Sequence, residues 1–312
     1  MSDVNLTTKI KGLTFRNPIT VGSGTFGTKQ DFLDYVDYER LGAMTTKTIT
    51  RHPRTGNPMP RICETSAGML NAIGLQNRGL EEFLKNKIPL FAKIKTPLIV
   101  NIAGEAAGDF QHLAEALHKE KDVVKALELN LSCPNVEEGG AGFMRKRERI
   151  LEAVKVVRDA TDLPIFAKLS PELGDVVEIA RDVIDVGADG LTLINTLKGM
   201  AVDTERRCSR IANITGGLSG PAIKPVAVRY VYEVKQALGV PVIASGGIMT
   251  AQDAIEFLIV GADLLAVGTA NFINPRATME ILDGISQYCR DHDITHIDEL
   301  RGSFHHENQI SG

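Results

Sequence analysis

The chain has 312 residues, 43% hydrophobic and 24% charged, with a net charge of −4 and a pI near 6.0. That composition suits a soluble globular protein with a large core. With no basic run or arm, it argues against nucleic acid or an anionic membrane surface as a partner. Residues 1–10 lack the apolar centre of a signal peptide, and no apolar run nears the ~18 residues of a membrane span. A cytoplasmic location is expected.

Residues 4–16 (VNLTTKIKGLTFR) alternate with period two around Lys11-Gly12 and predict a small hairpin ahead of the main fold. Eight short apolar runs follow, at 18–23, 43–48, 97–102, 126–131, 164–169, 190–195, 241–245 and 264–268. Their nearly continuous apolar character suits parallel strands covered on both faces. Between them, residues 109–120, 146–160, 175–186, 222–238 and 251–260 carry apolar positions at helical spacing. Gly187 and Gly261 stand where a left-handed cap would end two of these helices. Eight strands alternating with helices predict one α/β domain over 1–312, a (β/α)8 (TIM) barrel preceded by a short β-hairpin.

Three connections look longer or looser than ordinary βα loops. Residues 49–79 follow strand 2, the glycine-rich stretch after Cys133 follows strand 4, and 196–221 follow strand 6. Long loops in a compact domain usually carry function, and these would emerge at the C-terminal face, where barrel active sites sit.

The strand ends at that face read Ser23, Lys47, Asn101, Asn130, Lys168, Asn195-Thr196, Gly246-Gly247 and Gly268-Thr269. A lysine inside an apolar strand must reach a polar cavity or an anion, because an unpaired buried charge is costly. Either lysine alone is as readily structural. Two lysines with three asparagines on converging strand ends point to a polar ligand. Gly246, Gly247, Gly268 and Thr269 follow strands 7 and 8, where barrels commonly bind phosphate and where a missing Cβ allows backbone amides close approach. A Gly-Gly pair by itself is equally a tight turn. The implied ligand is phosphorylated.

Of the four cysteines, Cys63, Cys208 and Cys289 read as ordinary thiols. No CxxC spacing or His pair suggests a metal or cluster site, so none is expected on this chain. Cys133 differs. It stands in Asn130-Leu131-Ser132-Cys133-Pro134-Asn135, before Gly139, Gly140 and Gly142. A cysteine on such a loop can serve as base or nucleophile; from this segment alone it is equally a buried, inert thiol.

NLSCPN (130–135), NAIGLQN (71–77) and ANITGGLSGPAIKPVA (212–227) together resemble the dihydroorotate dehydrogenases, and most closely the catalytic subunits of the NAD-linked class 1B enzymes. The resemblance runs from Asn17-Pro18 to VGTANF (267–272). It implies a (β/α)8 barrel that oxidises (S)-dihydroorotate to orotate in de novo pyrimidine biosynthesis. Cys133 would be the base, and Ser23, Lys47, Thr48, Asn101, Asn130, Lys168, Ile194, Gly220, Gly246, Gly247, Gly268 and Thr269 would contact FMN. Lys47, Asn71, Ala72, Ile73, Gly74, Leu75, Asn130, Asn195 and Thr196 would hold the pyrimidine, with Asn135 a further contact. The resemblance further implies a separate electron-transfer subunit with FAD and a [2Fe–2S] cluster, NAD⁺ as final acceptor, and a homodimeric core within a heterotetramer. A dihydropyrimidine dehydrogenase acting on dihydrouracil shares the barrel and cysteine loop and is the nearest rival. A flavin-free lyase with a Schiff-base lysine and a non-catalytic flavin-binding subunit are the others.

Overall fold

The computed structural model describes residues 4–26, 35–131 and 147–305. The segment 132–146, with Cys133 and Asn135, lies outside the described residues.

The chain opens with the antiparallel pair β1 (Thr8–Ile10) and β2 (Leu13–Phe15) around Lys11-Gly12, as the alternation predicts. Then come β3 (Ile19–Val21), β4 (Met44–Thr45), β5 (Ile62–Thr65) and β6 (Gly68–Asn71). Helix α1 (Gly79–Glu82) runs through a five-residue π segment into α2 (Ile88–Phe91). After β7 (Leu98–Ile102), α3 (Ala107–His118), β8 (Val124–Asn130), α4 (Arg147–Ala160), β9 (Ile165–Leu169), α5 (Val176–Asp185) and β10 (Gly190–Leu193) alternate strictly. The strands β11 (Leu197–Gly199), β12 (Val202–Asp203), β13 (Cys208–Ser209) and β14 (Gly216–Ser219) precede α6 (Lys224–Leu238). The chain finishes with β15 (Val242–Ser245), α7 (Ala251–Ile259), β16 (Leu264–Val267), α8 (Ala270–Ile273) and α9 (Ala277–Asp291).

Among the described residues, the eight predicted strands form one parallel sheet in the order β3-β16-β15-β10-β9-β8-β7-β4. Its two outer strands meet. Gly42 and Ala43 donate backbone N–H to Ile19 O at 2.9 and 3.2 Å, and the hydroxyls of Thr20 and Thr45 lie 3.1 Å apart. The sheet is therefore a nearly closed barrel with its helices outside. Helices α5 and α7 end as the two glycines predict. Gly187 and Gly261 take φ of 119° and 110°, and the next residues reach back, Ala188 N to Val183 O and Ala262 N to Phe257 O, both at 2.9 Å. Among the described residues no helix is long and apolar enough to cross a membrane.

Both faces of the strands are covered, which explains their unbroken apolar pattern. Outward side chains such as Val100, Leu127, Leu129 and Ala167 belong to the main core under the helices. Inward side chains Ile99, Ala126, Phe166, Ile243, Leu264 and Ala266 form a second core with Ile10 and Phe15 of the hairpin. The hairpin thus plugs the N-terminal end of the barrel. Phe15 is fully buried there. Phe15→Ala should cost about 3–5 kcal/mol, read as a lower urea-unfolding midpoint; an unchanged midpoint would show that the plug adds nothing to stability.

Candidate active site

Above the apolar floor the barrel interior turns polar. The inward residues of the next tier are Asn101 on β7, Glu128 on β8, Lys168 on β9 and Thr192 on β10, each buried. Glu128 accepts from Asn101 Nδ2 at 2.6 Å and from Thr192 Oγ1 at 2.7 Å. Its Oε1 lies 3.7 Å from Lys168 Nζ, and Lys168 Nζ donates to Ser23 Oγ at 3.4 Å. Closed-barrel interiors give such groups no bulk water, so partners must come from neighbouring strands.

Over this tier opens a cavity of about 370 Å³ at the C-terminal ends of the strands. That volume is in the range of small-molecule and cofactor sites. One wall comes from an element that the sequence showed as two loops. Residues from 49–79 and 196–221 pair as a four-stranded antiparallel sheet in the order β11-β14-β6-β5, with Gly217 opposite Asn71 and Ser219 opposite Met69. Asn71 Nδ2 donates to Gly217 O at 3.2 Å. Thr196 fits against Gly217, where a Cβ would lie 2.1 Å from its hydroxyl oxygen. Beyond β6 the backbone turns at Gly74 and Leu75, and Leu75 is held at φ 55° with Asn77 Nδ2 on its carbonyl at 2.8 Å.

The cavity gathers most of the predicted site. Ser23, Lys47, Thr48, Asn71, Ile73, Gly74, Leu75, Asn130 and Lys168 line it from one half of the chain. Ile194, Asn195, Thr196, Gly220, Gly246, Gly247, Gly268 and Thr269 line it from the other. Asn195 Nδ2 donates to Asn130 Oδ1 at 3.3 Å, which joins two of the carboxamides. Two expected contacts are not on the wall. Asn101 is fully buried in the tier below, and Ala72 is fully buried with its N–H on Arg61 O at 2.7 Å. Cys133 lies outside the described residues.

Sequence reasoning missed Glu128, Arg61 and Ser219. Glu128 carries the same signal as the two lysines, a charge inside an apolar strand (ALELNL), and could have been found by it. Ser219, in the TGGLSG stretch, accepts from Thr269 Oγ1 at 2.8 Å on the cavity wall. Arg61 had no local signal. Its guanidinium is tied to Gln76 Oε1 at 2.6 Å and Thr55 O at 3.1 Å.

Lys47 is half-buried in this wall. Burial pushes its ammonium below the usual lysine range, and the neighbouring positive charge of Arg61 pushes in the same direction. A site that disfavours its own cation gains when an anion arrives. Among the described residues no group of three His, Cys, Asp or Glu is placed to hold a metal ion. Of the other cysteines, Cys63 is half-buried, Cys208 exposed and Cys289 buried, all as free thiols.

A barrel with a polar ligand cavity at the C-terminal strand ends is the architecture of an enzyme. The family model for dihydroorotate dehydrogenase matches residues 5–288. The dihydroorotate dehydrogenase B (NAD(+)) catalytic subunit of Geotalea uraniireducens is 48% identical over 97% of this chain and 99% of its own length. The subunit of the same name from Desulforamulus reducens is 49% identical over 97% and 99%. A crystal structure of DHODH from Eimeria tenella in complex with ferulenol superposes with a TM-score of 0.78 over 96% of this chain and 88% of that one, at 24% identity. That likeness speaks for the fold. The chain belongs to the dihydroorotate dehydrogenase family, an oxidoreductase family. Within it, the chain is similar along nearly its whole length to NAD(+)-linked catalytic subunits.

The charge on Lys47 gives a stability prediction. Below its lowered pKa, folded and unfolded chains both carry the charge, and the folded state bears the full cost of burying it. Between that pKa and 10.5 the folded lysine is neutral while the unfolded one still holds its proton, so stability rises with pH. Lys47→Met should therefore raise the urea-unfolding midpoint of the ligand-free chain at pH 7, with the gain shrinking toward pH 10. An equal or lower midpoint at pH 7 would mean that the ammonium is well satisfied in the fold.

Proposed function

We infer that this chain oxidises (S)-dihydroorotate to orotate in pyrimidine biosynthesis, with FMN held in the cavity and Cys133 as base. The carrying observation is the convergence of Lys47, Asn71, Asn130, Lys168, Asn195 and Thr196 on one cavity in a chain of this family.

FMN fits the residues present. Among the described residues a Cβ built on Gly268 would meet only Thr25 Cγ2, at 3.8 Å, so the glycine leaves room at the corner where Thr269 and Ser219 offer hydroxyls. Gly246 and Gly247 complete that corner for a phosphate. Ser23, Thr48, Asn101, Asn130, Lys168, Ile194 and Gly220 would hold the rest of the cofactor. In the tier below, Asn101 commits its Nδ2 to Glu128 and, among the described residues, leaves Oδ1 buried without a partner, an acceptor suited to a ligand donor. When bound, FMN supplies a two-electron hydride acceptor.

The substrate presents an imide, an amide and a carboxylate. Asn71, Asn130 and Asn195 offer donor and acceptor on one side chain, which matches the imide and amide edges. Lys47 lies ready to balance the carboxylate, and that pairing offsets the cost of burying its charge. Thr196 and the backbone of 71–75 complete the enclosure. Cys133 takes the C5 proton as thiolate. Electrons leave through a separate electron-transfer subunit carrying FAD and a [2Fe–2S] cluster, with NAD⁺ as final acceptor. Two copies of this chain form the core of the heterotetramer, in the cytoplasm. The relatives' description as catalytic subunits of an NAD(+) enzyme supports this division of labour.

Anaerobic addition of dihydroorotate to the purified chain should bleach its flavin absorbance, and dihydrouracil should do so far more slowly. A preference for dihydrouracil, or a colourless protein that cannot be loaded with FMN, would overturn the assignment. Cys133→Ala should keep FMN yet slow bleaching about 10²–10⁴-fold; a rate near wild type would place the base elsewhere. Gly268→Val should fill the phosphate corner and weaken FMN binding at least ~10-fold, with the fold retained by circular dichroism. Undiminished FMN affinity would move the phosphate site.

A further inference from the structure

The polar tier contains an acidic residue that no part of this mechanism uses. Glu128 is 2% exposed and does not line the cavity. It sits on β8 two residues before Asn130, and its carboxylate meets three strands at once. Oε1 accepts from Asn101 Nδ2 of β7 at 2.6 Å, Oε2 accepts from Thr192 Oγ1 of β10 at 2.7 Å, and Oε1 stands 3.7 Å from Lys168 Nζ of β9.

Burying a carboxylate this deeply is expensive, and an apolar residue of similar volume often serves stability as well or better. Immediately below, the barrel interior is filled by Ala126, Phe166 and Ile243, and the buried polar side chains at that level, Thr20 and Thr45, are uncharged and meet each other. The acid is therefore best explained by what it does to its partners. Two of the three, Lys168 and Asn101, are residues assigned to the cofactor, and Lys168 reaches the cavity wall. A carboxylate can only accept hydrogen bonds. It therefore fixes which end of the Asn101 carboxamide it meets, the Nδ2 donor, and so sets where the buried Oδ1 stands. It also supplies negative charge behind the Lys168 ammonium, while Ser23 Oγ steadies that ammonium from the other side at 3.4 Å.

We propose that Glu128 is a positioning residue: it holds Lys168 and Asn101 in place beneath the cavity and tempers the positive charge that Lys168 presents to the ring of a bound flavin. This rests on the FMN reading above. A cation beside the ring stabilises the added negative charge of the reduced form. A carboxylate behind the cation opposes part of that field, and in a site shielded from water the opposition is weakly screened. Glu128 thus makes the bound flavin harder to reduce than Lys168 alone would allow.

The test is the midpoint potential of FMN on the full chain, measured anaerobically against reference dyes for wild type, E128Q, K168M and the double variant. Glutamine keeps the shape of the network, since the Thr192 hydroxyl can accept as well as donate. E128Q should raise the potential by the equivalent of tenfold or more in the oxidised-to-reduced equilibrium, ~30 mV for a two-electron couple. In the K168M background the same substitution should shift it less than about threefold. A potential that is unchanged or lowered in E128Q would overturn the proposal. So would an equal rise with and without Lys168, because the carboxylate would then act on the ring directly. If E128Q fails to fold or to hold FMN, E128M, which removes the charge at similar volume, is read by the same criteria. A wild-type chain that takes no FMN overturns the functional reading and this inference with it. A wild-type chain that loads and bleaches normally, beside variants of unshifted potential, overturns this inference alone.

Discussion

A polar side chain pointing into a closed parallel barrel has no water to fall back on. The backbone groups of the strands are spent on one another, so each inward polar group must be matched by a side chain from a neighbouring strand or by a ligand. That constraint organises this molecule from bottom to top. The floor is apolar and sealed by Ile10 and Phe15. The middle tier is polar and paired through Glu128. The upper end opens into the cavity, where matching is left to what binds there. Among the described residues the middle tier leaves Asn101 Oδ1 without a partner, and at the cavity wall the charge of Lys47 is disfavoured.

The same arrangement explains why the site stands on strands more than on loops. Lys168, Asn130 and Ile194 project from or just beyond barrel strands, and Asn71 comes from a strand of the four-stranded sheet. Residues on regular elements keep their geometry with less help than residues on loops. The four-stranded sheet needs close backbone approach, and its sequence provides it. Gly68 and Gly220 face each other so closely that a Cβ on Gly220 would lie 2.8 Å from the Cα of Gly68. These small residues bring Met69, Asn71, Ser219 and Thr196 to one wall of the cavity. Function here is a property of two distant stretches of chain meeting, with the barrel fixing where they meet.

The site also trades stability for chemistry. Lys47 is held where burial and Arg61 both oppose its charge, and Leu75 is held at a positive φ that a side chain disfavours. Each is a cost to the empty fold. Both stand on the cavity wall, and an anion bound there would offset part of the cost at Lys47. Well-paired charges elsewhere, such as Lys224 between Asp253 and Glu256 at 2.7 Å each, show that the fold satisfies its cations where nothing has to bind.

The sequence by itself determined the barrel, its hairpin and the polarity of its strand ends, because these are local signals. Unbroken apolar runs of strand length, helical spacing between them, and glycines at 187 and 261 are each legible within a dozen residues. It also marked Lys47, Lys168 and the carboxamides, since polar residues at the ends of apolar strands stand out without knowledge of their partners. What the tertiary structure alone decided depends on residues far apart in the chain. The pairing of 62–71 with 197–219 into one sheet could not be read from either stretch, because strands that bury little and carry glycine look like loops until they meet. The placement of Asn101 below the cavity, beside the carboxylate of Glu128, followed from strand register around the barrel. Register is set by the closure of all eight strands together, and no single strand contains that information.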